Sequence, residues 1–502
     1  MHRRHFLAGS LAGLASYSWP KWAIGKKNGL FPLGVASGDM TSGSTVLWTR
    51  LVADPMQDKG GLGETDYKVA WELARDPKMK DVVQRGEANA SHMLGHSVHV
   101  DVQGLLPGTE YWYRFYSEGE VSTIGRTRTL PVGNVPSMRF VTTSCQNYTH
   151  GYFVAYKHIL EDDPDFVVHL GDYIYDTSFG ETFRRHDREE APRSLEDFRR
   201  RHALYKTDRY LQAAHARLPF FTVIDNHDAI EDNSPEQYDL RAAAYQAWYE
   251  HMPVRGYRLG SPNEFHLARL INVGDLLQIN MLDTRQFRDK RDLCLDNLDK
   301  AVGFGNYRER CGALLEEGRT MLGQAQEKAL YQSIRENRAQ WNVIASSGPV
   351  LPYRVDVGGE DFGYIGSWDA YPANRRRLAQ AIQDADAGHA LILSGDLHSF
   401  WAMDGHKVTD AADKVPAEEF VSSSISANWP QPLSEPIAQN LAKNPHVSYY
   451  DGTKRGYLLH DVTATSWRVR YRAVGDATRH DAKVEDTKVF EVIQGQQGII
   501  ER

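Results

Sequence analysis

The chain has 502 residues, of which 41% are hydrophobic and 25% charged, a composition ordinary for a globular protein. This length exceeds what one hydrophobic core usually organises, so two domains are expected. Acidic residues outnumber basic ones by 66 to 58, which argues against a broad basic surface that would hold nucleic acid. Beyond the N-terminus, no apolar stretch is long enough to predict a transmembrane anchor.

The N-terminus has the pattern of an export signal. Arg3 and Arg4 precede a mildly apolar run at residues 8–17, and residues 23–25 offer a small-residue cleavage site. An arginine pair before a short apolar region is typical of twin-arginine (Tat) signals. Residues 1–25 are therefore predicted to be a signal peptide read by the Tat translocase, which places the protein in the periplasm or outside the cell. Without them, 55 basic residues face 66 acidic ones, a net charge of −11.

Residues 30–134 have an all-β pattern. Segments 44–50, 67–73 and 96–102 are rich in β-branched and aromatic residues or alternate apolar with polar ones. The segment LLPGTEYWYRF resembles the turn and strand of fibronectin type III-like sandwiches, including their corner tyrosine. We expect a fibronectin type III/Ig-like β-sandwich here. It serves either as a packing accessory or as a substrate-shaping module, and the first role is favoured because sandwiches carry no chemistry of their own.

Residues 137–502 are predicted to form an α/β catalytic domain, because strand and helix patterns alternate along them. The predicted strands begin at residues 138, 166, 220, 276, 341 and 390, and the predicted helices cover 154–161, 324–337 and 375–384. The charged stretch 181–217 is also interpreted as helical. The sequence does not decide whether the tail, residues 484–502, covers the site.

Candidate metal ligands follow four of these predicted strands. In FVVHLGDYIYD, residues 166–176, an apolar run precedes Asp172 and Tyr175. Open α/β sheets bind ligands at the carboxyl ends of their strands. Each block alone could be a structural turn, but four blocks in this order predict a metal site. The other candidates are Cys145, Asn226 with His227, and Asp396 with His398.

The block order resembles that of the calcineurin-like metallophosphoesterases, and the Asp172/Tyr175 spacing is similar to their purple-acid-phosphatase branch. The segments TTSCQNY, HLGDYIYD, LDTRQFR, SWDAYP and SGDLHSFW resemble a narrower group, the PhoD-type alkaline phosphatases. This resemblance implies a four-layer α/β/β/α domain and an exported enzyme with an iron–calcium site. It also implies hydrolysis of small phosphomonoesters and phosphodiesters at alkaline pH, for phosphate scavenging.

The side-chain chemistry divides the ligands between two kinds of metal. Cys145, Tyr175 and His398 offer a thiolate, a phenolate and an imidazole, a set that favours a transition metal and, because of the phenolate, Fe³⁺. The other three candidates offer only oxygens, which suit Ca²⁺: Asp172 (the expected bridge), Asn226 and Asp396. Asp225, Glu231 and Asp232 are either further calcium ligands or structural. The sequence departs from the general family in reading DNHD at 225–228, in having Asp396 where that family has histidine, and in lacking a histidine in NVIASSGPV.

His227 is predicted to stabilise charge on the phosphoryl group or to protonate the leaving oxygen, oriented by Asp228. Arg285 either contacts the phosphate or forms a structural salt bridge. Cys294 and Cys311 flank a charged, loop-like segment, so a disulfide between them is predicted, leaving Cys145 as a thiol. Two rival functions stay open at this point: a dedicated phosphodiesterase, and a non-catalytic binding protein with a decayed site.

Overall fold

The computed structural model describes residues 29–229, 237–257, 265–291, 293, 306–357, 359–385, 388–429 and 431–502. Residues 1–25, Glu231, Asp232 and Cys294, for which the sequence makes specific predictions, lie outside the described residues. Within the described part of the chain, no helix combines the length and apolar character needed to cross a membrane.

The described helices are α1 (Ala155–Asp162), α2 (Leu195–Lys206), α3 (Arg209–Arg217), α4 (Tyr238–His251), α5 (Gln324–Glu336), α6 (Pro372–Gln383) and α7 (Gln431–Asn440). The strands up to the first predicted ligand block are β1 (Val35–Gly38), β2 (Ser44–Arg50), β3 (Tyr67–Ala74), β4 (Val82–Ala90), β5 (Ser97–Gln103), β6 (Glu110–Ser117), β7 (Glu120–Val121), β8 (Gly125–Arg128) and β9 (Ser137–Thr143). The strands that follow are β10 (Phe166–His169), β11 (Pro219–Thr222), β12 (Arg269–Val273), β13 (Leu277–Met281), β14 (Tyr307–Arg308), β15 (Trp341–Ala345), β16 (Arg354–Val357), β17 (Glu360–Tyr364), β18 (His389–Ser394), β19 (Phe400–Asp404), β20 (Glu418–Val421), β21 (Val447–Asp451), β22 (Arg455–Thr463), β23 (Ser466–Val474), β24 (Val484–Ile493) and β25 (Ile500–Glu501).

One sheet, which we call sheet I, crosses the boundary between the two predicted domains. Its order is β25-β24-β23-β22-β9-β10-β11-β1-β2-β5. Strands β9, β10 and β11 are parallel, and β1 continues them in parallel, with Ser37 opposite Pro219. Three strands of the all-β region therefore extend the sheet that carries the candidate site.

The rest of the all-β region forms a separate sheet in the order β4-β3-β6-β7, with β8 paired to β6. Val35 and Leu47 from sheet I share one buried hydrophobic cluster with Val69 and Tyr113 from this smaller sheet. Tyr111, at the position of the corner tyrosine, is buried and its hydroxyl accepts a hydrogen bond from the Leu106 amide at 3.0 Å. The corner tyrosine thus fixes the turn that precedes its own strand.

Sheet II has the order β12-β13-β15-β18-β20-β19-β21, and β13, β15, β18 and β20 run parallel. Phe140 and Val168 of sheet I pack in one cluster with Leu391 and Phe420 of sheet II, so the two sheets face each other. Residues of α1 to α4 join a cluster on the other face of sheet I, and residues of α5 and α6 do so on the other face of sheet II. The predicted mixed α/β class is confirmed.

One segment differs from the sequence prediction, and a second bears on a question that the sequence left open. Residues 181–194 have no helix, because α2 begins only after Ser194, whose hydroxyl accepts the Asp197 amide and caps the helix. The tail, residues 484–502, contributes β24 and β25 to the edge of sheet I. The tail therefore continues the sheet instead of covering the candidate site.

Candidate active site

The predicted ligands lie on loops after the carboxyl ends of parallel strands, and their backbone is unusual. Cys145 follows β9, Asp172 follows β10, and Asp396 and His398 follow β18. All four have positive φ values, 57°, 53°, 71° and 48° respectively, in the left-handed region that non-glycine residues rarely adopt. Strained backbone of this kind concentrates at functional sites, where the surrounding structure enforces it.

Four of the predicted ligands converge on one point. Tyr175 Oη lies 3.1 Å from Asp172 Oδ2 and 2.8 Å from His398 Nε2, and Cys145 Sγ lies 3.7 Å from the same Asp172 oxygen. One donor atom each from Cys145, Asp172 and His398 lies within 4.8 Å of the others. We call Cys145, Asp172, Tyr175 and His398 the thiol–phenol cluster. A thiol, a phenol, a carboxylate and an imidazole at this spacing have the composition of a transition-metal site.

The electrostatics of the cluster fit a bound cation. Burial, and then the negative charge of Asp172, raise the pKa of the Cys145 thiol and of the Tyr175 phenol well above their ordinary values. Burial also raises the pKa of Asp172 to about 6 and that of Asp396 to about 8, and the charge of Asp225 adds to both shifts. A cation would supply the positive charge that so many buried acidic groups need in order to ionise.

The ring of His398 is held with one nitrogen facing the thiol–phenol cluster. Nδ1 donates to the Asn428 carbonyl at 2.9 Å, so Nε2 is the nitrogen directed at Tyr175. His150 supports this arrangement, because its Nδ1 accepts the Asn428 amide and its Nε2 donates to the Phe179 carbonyl. A backbone carbonyl that fixes the tautomer of a histidine is the usual second partner of a metal-ligating imidazole.

The turn after β11 carries the other predicted ligand, Asn226. Arg285 forms a buried ion pair with Asp225 and donates to Asn226 Oδ1 at 3.3 Å. Ser347 Oγ donates to Asp225 Oδ1 at 2.8 Å, while Asp225 Oδ2 is buried with no hydrogen-bond partner among the described residues. Of the two roles predicted for Arg285, the salt bridge is therefore the one observed. Asp225 keeps one oxygen that a cation could use.

His227 joins this turn to the thiol–phenol cluster. Its amide donates to Asp172 Oδ1 at 3.0 Å, its ring stacks on Tyr175 with centroids 4.2 Å apart, and its Nδ1 lies 2.7 Å from Asp176 Oδ1. The expectation that Asp228 orients this imidazole is wrong. The buried Asp228 carboxylate instead accepts the amides of Ile174 and Asp225, so it holds the two ligand loops together.

Three residues at the site were given no role by the sequence reasoning. Asp176 directly follows Tyr175 in the same loop, and this adjacency to a predicted ligand could have indicated that Asp176 belongs to the site. Tyr364 donates to Asp396 Oδ2 at 2.7 Å, and Asn428 holds His398. Tyr364 and Asn428 lie outside the blocks that predicted the ligands, so no local pattern pointed to them.

The two described cysteines differ in oxidation state. Cys145 is a free, buried thiol, whereas Cys311 is disulfide-bonded. Cys294, the predicted partner of Cys311, lies outside the described residues.

Two protein-family models match different parts of this chain. Residues 140–471 match the model of the PhoD-like phosphatase family, and residues 18–131 match that of the PhoD-like phosphatase N-terminal domain. The chain is 37% identical over 491 residues to alkaline phosphatase D of Bacillus subtilis (strain 168), covering 93% of this chain and 82% of that protein.

Solved structures show the same similarity. A structure of PhoD superposes with a TM-score of 0.85 at 34% identity, covering 95% of this chain and 93% of the other. The purple acid phosphatase PPD1 from yellow lupin (Lupinus luteus) superposes with a TM-score of 0.57 at 12% identity, covering 92% and 75% of the two chains. At that identity the second match shows a shared fold alone.

Proposed function

We propose a substrate range, a metal content and a catalytic assignment for this chain, which belongs to the PhoD-like phosphatase family and is a phosphoric ester hydrolase. It hydrolyses small phosphomonoesters and phosphodiesters at alkaline pH, and it scavenges phosphate after export. The observation that carries this proposal is the position of the His227–Asp176 pair directly beside the thiol–phenol cluster.

The donor chemistry assigns Fe³⁺ to Cys145, Tyr175 and His398, and Ca²⁺ to Asn226 and Asp396. Asp172 suits the position between the two ions, because one of its oxygens faces the cluster while the other faces the turn after β11. When bound, such ions supply positive charge to the phosphoryl oxygens and lower the pKa of water.

The side chains of the site hold and deliver a proton. Nδ1 of His227 donates to Asp176, so Nε2 is the nitrogen that exchanges a proton with the leaving oxygen. Asp176 stabilises the imidazolium that this exchange requires, since the hydrogen bond and charge of His227 lower the pKa of Asp176 even though burial opposes them. Stacking on Tyr175 fixes the plane of the ring.

Several finer assignments complete the proposal. Residues 30–134 form a sandwich domain whose one sheet is shared with the catalytic domain, and residues 137–502 form a four-layer α/β/β/α domain. Packing clusters on both faces of sheets I and II support this arrangement. Residues 1–25 are a Tat signal, and the mature enzyme acts in the periplasm or outside the cell.

The test is a substrate profile of enzyme reconstituted with Fe³⁺ and Ca²⁺, comparing a monoester with a diester that shares its leaving group. Comparable kcat/KM on both supports the proposal, whereas activity on diesters alone supports the dedicated phosphodiesterase. A chelator selective for calcium should abolish activity while iron stays bound, and Ca²⁺ should restore it. If Zn²⁺ restored activity and Ca²⁺ did not, the calcium assignment would be wrong. The decayed-site alternative is disfavoured because Cys145, Asp172, Tyr175 and His398 are all in contact.

A further inference from the structure

A second group of His, Asp and Glu side chains lies in sheet II, at the ends of the parallel strands that are away from the active site. His389 begins β18, Glu418 begins β20, Asp404 ends the antiparallel strand β19, and His406 follows in a short 3₁₀ turn. The catalytic ligands follow the carboxyl ends of the parallel strands instead. We call His389, Asp404, His406 and Glu418 the rim group. They have no part in the proposed hydrolysis.

Two carboxylates of the rim group are buried and face each other. Asp404 and Glu418 are cross-strand partners in the register of β19 with β20, and both are at most 1% exposed. Ala402 and Phe420, two residues away on each strand, pack between the sheets, so these carboxylates point to the same side. Like charges directly opposite each other destabilise a strand pair, and burying a charged carboxylate costs free energy unless it is paired or hydrogen-bonded. The ammonium of Lys407 lies 3.1 Å from Asp404 but on an exposed side chain.

Two imidazoles meet the Glu418 carboxylate. His389 Nε2 lies 2.8 Å from Oε2, and His406 Nε2 lies 3.6 Å from Oε1. One donor atom each from Asp404, His406 and Glu418 lies within 4.8 Å of the others. A tetrahedral zinc ion, with bonds of about 2.0–2.2 Å, holds its ligands roughly 3.4 Å apart.

The rim group also joins the two sheets. A surface cavity of about 380 Å³ is lined by His389, His406 and residues 494–497, which lie between β24 and β25 of sheet I. The next residue, Gly498, donates its amide to Glu418 Oε1 at 2.7 Å. The cavity gives an ion access from solvent, and the glycine contact places the tail against the same carboxylate.

We propose that His389, Asp404, His406 and Glu418 bind a structural divalent cation of the zinc class, which ties the tail of sheet I to sheet II. Two imidazoles and two carboxylates are a donor set that zinc accepts, and its charge balances the two carboxylates. An ion that binds only the folded chain stabilises it in proportion to its free concentration.

Zinc itself is the probe for this site. Metal-free, full-length protein is loaded with Zn²⁺, passed through gel filtration and analysed for bound metal, while Tm is measured with and without Zn²⁺. The active site also takes up metal, so the comparison is between the parent chain and variants of the rim group. His406→Ala should bind one zinc ion fewer per chain and lose part of the zinc-dependent rise in Tm. Its phosphatase activity, measured with the catalytic metals present, should be retained.

His389→Gln is the matched variant, because a carboxamide can still donate a hydrogen bond to Glu418 but is a poor zinc ligand. It should fold like the parent chain and show the same loss of one zinc ion. An active-site variant, His398→Ala, should keep the rim zinc and its share of the Tm response. If both rim variants match the parent in zinc content and Tm response, the rim group is a hydrogen-bonded contact without metal and the proposal is wrong.

Discussion

Nδ1 of His227 lies 2.7 Å from Oδ1 of Asp176, and this contact joins the proposed general acid to the loop that carries Asp172 and Tyr175. The His227 ring stacks on Tyr175, and its amide donates to Asp172. The proton-transfer group is thus positioned by the same loop that supplies two ligands. Its orientation should depend on Asp176 and not on the neighbouring Asp228.

The first prediction concerns that contact. Asp176→Asn removes the charge that stabilises the protonated imidazole, so kcat on an ester with a poor leaving group should fall by about 10²- to 10³-fold, the lower part of the range for one acid–base group. Metal content should be unchanged. Steady-state kinetics and elemental analysis test this. In a His227→Ala background the same substitution should have little further effect, and an undiminished effect there would show that Asp176 acts elsewhere.

The second prediction separates two adjacent residues. His227→Ala should keep its metals and lose roughly 10²- to 10⁴-fold in kcat, or about 3–5 kcal/mol of barrier. The loss should be smaller with nitrophenyl esters, which need less protonation. Asn226→Ala should instead lose the second metal together with most activity. Loss of metal from His227→Ala would make it a ligand, and near-normal kcat on a poor leaving group would make it structural.

The third prediction concerns Tyr175, whose hydroxyl contacts both Asp172 and His398. A ferric ion bound to this phenolate should give a visible charge-transfer band, and Tyr175→Phe should abolish it. Absorption spectra and iron content of the two proteins provide the measurement. Tyr173, which is also buried but contacts His215, supplies the control, because Tyr173→Phe should keep the band. A colourless, iron-free enzyme with full activity would rule out the ferric assignment.

The fourth prediction tests Arg285 as a structural residue. Its side chain and that of Asp225 are 5% and 1% exposed, so Arg285→Met leaves a buried carboxylate without its cationic partner. The free energy of unfolding of the metal-free protein should fall by about 3–5 kcal/mol, as for other broken buried pairs. Urea unfolding measures it, and Arg479→Met, which breaks an exposed pair, should leave the midpoint unchanged. A raised KM with unchanged stability would instead assign Arg285 to phosphate binding.

The fifth prediction is a pH dependence of stability. Burial raises the pKa of Glu419 from 4.5 to about 7, despite hydrogen bonds from Ser394 and the amides of Val350 and Leu351. Between these pH values the folded chain binds more protons than the unfolded chain, so this carboxyl's contribution to stability is lost as pH rises from 4.5 to 7. Glu419→Gln removes the effect. The stability of the variant relative to the parent should therefore rise by about 3 kcal/mol between pH 4 and pH 8. A difference that does not change with pH would contradict the shifted pKa.

Much of the site could be predicted because its ligands are encoded locally. Cys145, Asp172, Asn226 and Asp396 each follow a short apolar strand, and parallel strands bring their carboxyl ends to one edge of a sheet. The strands predicted to begin at residues 166 and 341 begin at those residues in the structure, as β10 and β15. Residues 181–194 were misassigned, because charge and composition suggest a helix but say nothing of where its cap lies.

The sequence by itself determined the mixed α/β class, the ligand blocks and the residue types that favour particular metals, because apolar periodicity and short motifs depend on neighbouring residues. Only the tertiary structure decided that β1 pairs with β11 across the domain boundary, that Asp176 holds His227, and that Asn428 orients His398. It also brought His389 and Glu418 together at the far rim. The long-range contacts depend on strand pairing and loop packing between distant segments, and no local pattern in one sequence records which segments will meet.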